Sequence, residues 1–300
     1  MTRHDALTPF LLEHAAVRGS YVTLPATARA VLACHPYPAA IARVLGELLA
    51  ACALLASTLK FTGSLIAQLS GDGPVRLLVV ECTDALGMRA MAQWDPERTN
   101  ALGPDATLAA LAGGPKHGRL VLTLDPKGAG TMYQGIVALE AGSVGGMIEH
   151  YLSTSEQLQS RLVVAARDGA AAGLLLQRLP SSVADDDAAW TRLVREFEAI
   201  APDALLAGAR DIAALGAWFP EADIRVFDAR PVRARCSCSR ERVENALRIA
   251  GRDEIEAALA EQGGVEVTCE FCNRRYAFTP DEARAVFEPP RDAAAGPRVH

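Results

Sequence analysis

The chain has 300 residues, half of them hydrophobic, and a formal net charge of −6. This length suffices for one large domain or two smaller ones, and the apolar fraction suffices for a buried core. The acidic balance argues against nucleic acid as a partner of the whole chain, because contact with a phosphate backbone needs clustered positive charge.

The first part of the chain, residues 1–179, combines an apolar helix with several strands. Apolar residues recur at three- and four-residue spacing from 38 to 59 and predict a helix. Glu47 lies within this run and Lys60 ends it, so we expect a buried helix rather than a membrane span. Strands are predicted at 61–69, 75–82, 119–124, 133–140, 161–166 and 173–179, and another helix at 147–154. Consecutive strands without a regular strand–helix alternation favour the α+β class.

The residues 71–74, with the sequence G-D-G-P, separate the first two of these strands. A strand and not a glycine-rich helix start follows them, so a hairpin turn is favoured over a nucleotide-binding loop. The chain also shows no nucleophile elbow. We therefore expect no ATP site and no enzymatic activity.

The composition changes at Pro180, and the segment 180–231 is predicted to be a metastable helical linker. Amphipathic helices are expected over 190–200 and from 202 to about 218, followed by an extended stretch over 223–228. Helices this short are marginal in water when they are isolated. They must therefore pack on another part of the chain.

Four of the seven cysteines form two close pairs, C-S-C at 236–238 and C-E-F-C at 269–272. Each pair offers two sulfurs on a short turn, and none of the six histidines lies beside either pair. Four thiolates form a closed tetrahedral shell that suits Zn²⁺, so we expect one ion per chain. Flanking arginines would offset the charge of the thiolates and favour thiolate over thiol. The expected ligands are Cys236, Cys238, Cys269 and Cys272.

The segment 232–290 around these cysteines is predicted to be a small zinc-binding domain. Its predicted elements are helices over 241–249 and 253–261, a hairpin over 265–278 with the second pair at its turn, and a helix that starts after Thr279. A core of about 60 residues is small, so the metal should supply much of its stability. The tail, residues 291–300, is expected to be disordered.

Cysteine spacing alone leaves the role of this site open. A zinc ribbon that only stabilises a small domain fits, and so does a switch whose sulfurs oxidise to disulfides. A zinc-ribbon RNA-associated or regulatory protein is a further possibility, because arginines flank the sulfurs. A thioredoxin-like oxidoreductase is disfavoured, since the second pair is expected on a hairpin turn. The N-terminus shows no signal-peptide pattern, so we expect a cytoplasmic protein with reduced cysteines.

Further short motifs occur in one order along the chain. They are A-V-R-G at 16–19, T-L-K-F at 58–61, G-D-G-P at 71–74, Y-Q-G at 133–135, S-E-Q-L at 155–158 and C-S-C-S-R-E-R at 236–242. With the second cysteine pair, these motifs extend over almost the whole chain. The sequence resembles the bacterial 33 kDa heat-shock chaperone family, the redox-regulated holdases.

The resemblance implies an ATP-independent chaperone that binds unfolding proteins under oxidative and heat stress. In that family the reduced, zinc-bound form is inactive, and disulfide formation, zinc release and linker unfolding activate it. The implied partners are unfolded client proteins and, in the active state, a second copy of the chain, with no membrane. The candidate client-binding residues are the apolar linker residues Val194, Phe197, Ile200, Leu205, Leu206, Ile212, Leu215 and Trp218.

The resemblance also implies that the four ligand cysteines become disulfide partners, Cys236 with Cys238 and Cys269 with Cys272. Four cysteines allow three pairings, and loop-closure entropy also favours closure within each short turn. Client aggregation with and without oxidant, compared with nucleic-acid binding at moderate salt, separates the chaperone from the RNA-associated alternative.

Overall fold

The computed structural model divides the chain into two compact units, Met1–Arg235 and Cys236–His300. The residues that the structure describes are 5–13, 15–59, 61–127, 130–140, 142–180, 186–208 and 213–288. The tail predicted at 291–300 and the candidate residue Ile212 lie outside them. In the described ranges, runs of consecutive strands are separated by helices, and the predicted α+β class is confirmed.

The first unit contains two sheets and a set of helices. The strands of the first sheet are β1 (Ala6–Glu13), β2 (Val17–Thr23), β8 (Ser160–Arg167), β9 (Ala170–Arg178), β10 (Asp223–Val226) and β11 (Arg230–Pro231). Those of the second sheet are β3 (Gly63–Ser70), β4 (Val75–Thr83), β5 (Gly87–Trp94), β6 (Arg119–Pro126), β7 (Tyr133–Val137) and β12 (Arg233–Ala234). The helices are α1 (Pro25–Leu32), α2 (Ala39–Thr58), α3 (Pro96–Asn100), α4 (Leu108–Leu111), α5 (Val144–Ser155), α6 (Asp186–Glu198), α7 (Pro202–Gly208) and α8 (Ala213–Trp218).

The strand order is β10-β1-β2-β9-β8 in the first sheet, where β11 also pairs with β1, and β12-β5-β4-β3-β6-β7 in the second. Neighbouring strands are antiparallel, except that β12 runs parallel to β5. The segment 223–234 therefore adds short strands to the edges of both sheets. Backbone hydrogen bonds from Arg233 N to Leu86 O and from Arg235 N to Met88 O continue this attachment up to the end of the unit.

Helix α2 packs against both sheets, which explains why it is apolar nearly all round. Ile41, Leu45 and Leu48 are fully buried in the core that surrounds it. The helix is long and apolar enough to cross a membrane, but most of it is buried inside the protein. The sequence-based interpretation of this segment as a buried core helix is therefore confirmed.

Both faces of the first sheet are covered, one by α2 and the other by α6, α7 and α8, which we call the linker helices. The second face and these helices share one apolar core, formed by Phe10, Leu12, Val17, Tyr21, Leu174, Leu176, Trp190, Leu193, Phe197, Ile200, Leu205, Leu215 and Phe219. A strand buried on both faces has no polar side, which explains the continuous apolar run of β9. The predicted boundary between the N-terminal domain and the linker, at 179/180, thus lies within one packed unit. A separate role for the linker stays a proposal about function.

The second unit is a small module built around the cysteine pairs. Its elements are α9 (Arg240–Ala250), α10 (Arg252–Gln262), β13 (Val265–Thr268), β14 (Arg275–Phe278) and α11 (Pro280–Ala285). The strands form the predicted antiparallel hairpin. Helix α11 starts after Thr279 as the sequence predicted, and Thr279 caps it in a reciprocal capping box with Glu282. The apolar core contains nine buried residues among those described, so it is small for an independently stable domain.

Candidate metal centre

The structure brings the four predicted ligands together in the second unit. The Sγ atoms of Cys236, Cys238, Cys269 and Cys272 all lie within 4.8 Å of one another. The Sγ–Sγ distance is 3.7 Å between Cys236 and Cys269 and 3.4 Å between Cys238 and Cys272. Tetrahedral Zn²⁺ with Zn–S bonds of about 2.3 Å separates its sulfurs by roughly 3.8 Å. The donor set and its spacing therefore fit that ion.

Local backbone structure places each pair. The first pair lies directly before α9, where the Ser239 side chain accepts a hydrogen bond from Arg242 N as the N-cap. The second pair lies in the turn between β13 and β14, where Cys269 N donates to Arg274 O at 2.9 Å and Asn273 N donates to Cys269 O at 2.8 Å. Asn273 adopts a left-handed conformation with φ of 56°, which asparagine tolerates better than most residues. Local interactions thus define the backbone conformation of both turns.

A tyrosine hydroxyl from the strand after the second pair hydrogen-bonds a sulfur of the first pair. The sequence did not predict this contact. Tyr276 follows the second pair on β14, and its hydroxyl donates a hydrogen bond to Cys238 Sγ of the first pair at 3.1 Å. The ring of Tyr276 is buried in the small core. Its place on a predicted strand beside the cysteine turn was the available signal, but strand alternation alone does not identify which sulfur a side chain reaches.

The pKa values of Cys236, Cys238 and Cys272 differ in the absence of a cation. Burial acts to raise the pKa of Cys238, but hydrogen bonds from Tyr276 and the other cysteines outweigh it and lower that pKa to about 7. Burial raises the pKa of Cys272 to about 12, and hydrogen bonds with the other cysteines add to the effect. Burial also raises the pKa of Cys236. A bound divalent cation favours the thiolate at every ligand sulfur.

The flanking arginines offset the charge of the sulfurs less than the sequence predicted, because two of them pair with glutamates. Arg240 stacks over the Phe278 ring at 4.2 Å and pairs with Glu282 at 2.8 Å. Arg275 pairs with Glu266 at 3.6 Å. Arg274, by contrast, interacts electrostatically with Cys238, Cys272 and the Tyr276 side chain.

The charge of the second unit bears on the RNA-associated alternative. Residues 236–288 contain seven arginines against eleven aspartates and glutamates. Four thiolates on one Zn²⁺ would add further negative charge. A surface of this balance lacks the excess of positive charge that phosphate contact requires.

The remaining cysteines lie in the first unit. Cys52 and Cys82 are buried in the core around α2. Burial raises the pKa of both thiols, that of Cys82 to about 12. Cys34 is partly exposed. Buried neutral thiols react slowly with oxidants, so Cys52 and Cys82 are packing residues while the core is closed.

The candidate client-binding residues are docked on the second face of the first sheet. Phe197, Ile200, Leu205 and Leu215 are buried, and Val194, Leu206 and Trp218 pack partly buried against the same core.

Polar contacts accompany this docking. The Tyr21 hydroxyl of β2 donates to Leu205 O at 3.0 Å, and its ring meets Trp218 edge-on at 5.4 Å. Ion pairs join Arg167 to Asp203 and Arg178 to Asp187, but solvent exposure makes each of them weak. Apolar burial therefore provides most of the docking energy.

Comparisons with known proteins agree with the fold and the cysteine pattern. The family model described as Hsp33 protein matches residues 5–279. The 33 kDa chaperonin of Chromobacterium violaceum is 43% identical, with 100% of this chain and 99% of the relative covered. That of Methylobacillus flagellatus is 39% identical, with 94% of each chain covered. The crystal structure of the 33 kDa chaperonin (heat shock protein 33 homolog) of Thermotoga maritima superposes with a TM-score of 0.78 at 22% identity, covering 95% of this chain and 97% of that one.

Proposed function

The chain belongs to the Hsp33 family, and we propose that it is a redox-regulated, ATP-independent chaperone that binds unfolding proteins under oxidative and heat stress. Its relatives carry the name chaperonin, which supports the chaperone function. The observation that carries the redox part is the cluster of four sulfurs within 4.8 Å in a unit with a small core. No enzymatic step is required.

The reduced state is proposed to be held by the four cysteines. Cys236, Cys238, Cys269 and Cys272 would hold Zn²⁺, which supplies a four-thiolate cross-link when bound. Because the unit has few buried residues, this cross-link contributes a large part of its folding free energy. The linker helices stay docked in this state, and the apolar face of the first sheet is covered.

Oxidation removes the ligand set. Two thiolates, one peroxide molecule and two protons react to give one disulfide and two molecules of water. Disulfide sulfurs no longer serve as thiolate ligands, so the second unit loses its main source of stability. The edge strands β10, β11 and β12 lie just before Cys236 in the chain. When the second unit unfolds, these strands detach from the two sheets, and the linker helices then unfold as well.

Release of the linker helices would create the client-binding surface. It uncovers the apolar side chains of those helices and also the second face of the first sheet, which carries Phe10, Leu12 and Leu174. A large apolar surface beside a flexible segment can bind many unfolded chains without sequence preference. We place this activity in the cytoplasm and expect the active form to be a homodimer.

The function is tested by client aggregation at elevated temperature, measured together with zinc and thiol content. Reduced protein should carry one Zn²⁺ and leave aggregation unchanged. After peroxide treatment, the protein should lose four thiols and the metal and should suppress aggregation. Equal suppression by both forms would exclude redox control. Nucleic-acid binding at moderate salt without effect on aggregation would instead favour the RNA-associated alternative.

The disulfide pairing is expected to be Cys236–Cys238 and Cys269–Cys272. Sulfurs of different pairs lie 3.4 and 3.7 Å apart, so distance in the reduced state does not exclude cross-pairing. Closure within a short turn needs the least ordering once the unit loosens. Peptide mapping of the oxidised protein should find the two within-pair bonds, and a dominant link between Cys238 and Cys272 would show the pairing to be wrong.

A further inference from the structure

The Tyr276 hydroxyl contacts a ligand sulfur directly, and the proposed function assigns it no role. The hydroxyl lies 3.1 Å from Cys238 Sγ and donates a hydrogen bond to it. The ring is held by the small core and by the pairing of β14 with β13, where Tyr276 lies opposite Val267. The donor is therefore fixed in place by packing and does not depend on a mobile side chain.

The contact distinguishes two sulfurs that are only two residues apart. Cys238 Sγ accepts the Tyr276 hydrogen bond, whereas Cys236 Sγ lies 3.7 Å from the Cys269 sulfur. The asymmetry between the sulfurs is thus built into the hairpin.

Where a bound cation already holds a sulfur as the thiolate, a hydrogen bond to that thiolate slows its oxidation. In the first step, a sulfur lone pair forms an S–O bond to peroxide while the O–O bond breaks and hydroxide leaves. The resulting sulfenic acid then condenses with a second thiol, forming a disulfide and releasing water. A donor that stabilises negative charge on sulfur lowers its nucleophilicity in the first step. Partners that orient ligand side chains also strengthen metal binding.

We propose that Tyr276 is a positioning residue that protects Cys238 from oxidation and holds it in the metal-binding arrangement. The hydroxyl thereby raises the amount of oxidant needed to open the site. This inference rests on the zinc site of the proposed function. The amount of oxidant that opens the site then depends on a hydrogen bond from a residue that is not one of the four ligands.

The test compares reduced wild type with Tyr276→Phe, which keeps the buried ring and removes only the hydroxyl. The matched control is Tyr151→Phe in the first unit, where the hydroxyl lies 3.5 Å from Glu156. One readout is competition for zinc with a chelating dye. The other is mass-spectrometric oxidation of each cysteine under limiting peroxide, expressed as the ratio of Cys238 to Cys236 within the same molecules.

Tyr276→Phe should lower the zinc affinity by about tenfold and raise the Cys238 to Cys236 oxidation ratio by about threefold or more. Tyr151→Phe should change neither readout. An unchanged ratio would overturn the inference, and so would an equal increase at all four cysteines, which indicates a loosened hairpin. Wild type that binds no zinc would refute the proposed metal site and this inference with it, whereas zinc-loaded wild type and Tyr276→Phe with equal ratios would overturn the inference alone.

Discussion

Replacing Cys269 with serine is expected to abolish stoichiometric zinc binding and to unfold most of the second unit. Structural zinc in small domains contributes roughly 10–16 kcal/mol at neutral pH. The nine buried residues found within 236–288 provide a small core, and Cys269 itself packs against it. A serine hydroxyl does not replace a thiolate as a zinc ligand, because it stays protonated near neutral pH. Residues 236–288 should therefore become sensitive to protease in the reduced protein.

The matched control for this variant is Cys34→Ser, which changes a partly exposed cysteine of the first unit. It should bind one Zn²⁺ per chain and keep the second unit protease-resistant. The measurement is zinc content by atomic absorption after gel filtration, with proteolytic fragments identified by mass. If Cys269→Ser retained both full zinc content and a resistant second unit, the assignment of the four ligands would be refuted.

The cysteine site was predictable because its signal is local. Two sulfurs on each short turn restrict the geometry so strongly that spacing alone predicted a four-cysteine cluster, and the four sulfurs lie within 4.8 Å of one another. The Tyr276 contact depends instead on how the hairpin turns toward α9. That relation between distant residues leaves no periodic trace in the sequence.

The first two strands were missed for a related reason. Pro9 and Gly19 interrupt the expected strand pattern, and proline in a central strand normally argues against it. In the sheet, Pro9 lies between the stretch of β1 that pairs with β10 and the stretch that pairs with β11, so its missing N–H removes no ladder hydrogen bond. Gly19 lies opposite Phe10, whose ring occupies the space that a Cβ would need. Strand pairing and side-chain packing thus accommodate a proline and a glycine that the sequence pattern alone would exclude from a strand.

Replacing Phe197 with aspartate is expected to release the linker helices without any thiol oxidation. Phe197 is buried in the apolar core that α6 shares with the first sheet. The change removes apolar burial of about 2–3 kcal/mol and places a charge without a partner in the core. A local equilibrium of modest stability should shift by more than tenfold. The reduced, zinc-loaded variant should be cleaved by protease within 186–218 and should suppress client aggregation.

The matched control is Ala188→Asp, which adds the same charge to the same helix at an exposed position. It lies in the first turn of α6, where an acidic side chain is compatible with the helix dipole, so protection of the linker should be unchanged. If Phe197→Asp leaves the linker as protected as this control does, apolar docking does not hold the inactive state. If the linker stays protected even in active, oxidised wild type, linker release is not the mechanism.

A second variant, Tyr21→Phe, acts from the sheet side and leaves the linker sequence intact, so it separates linker release from loss of a client contact. It removes the hydrogen bond to Leu205 O but keeps the ring against Trp218. The loss of about 1 kcal/mol should raise the released population by about fivefold, less than for Phe197→Asp. Because no linker side chain changes, any gain in chaperone activity must come from release. Protease sensitivity and aggregation suppression should then rise together across wild type, Tyr21→Phe and Phe197→Asp. A rise in protease sensitivity without a rise in activity would show that the linker and the sheet face beneath it are not the client-binding surface.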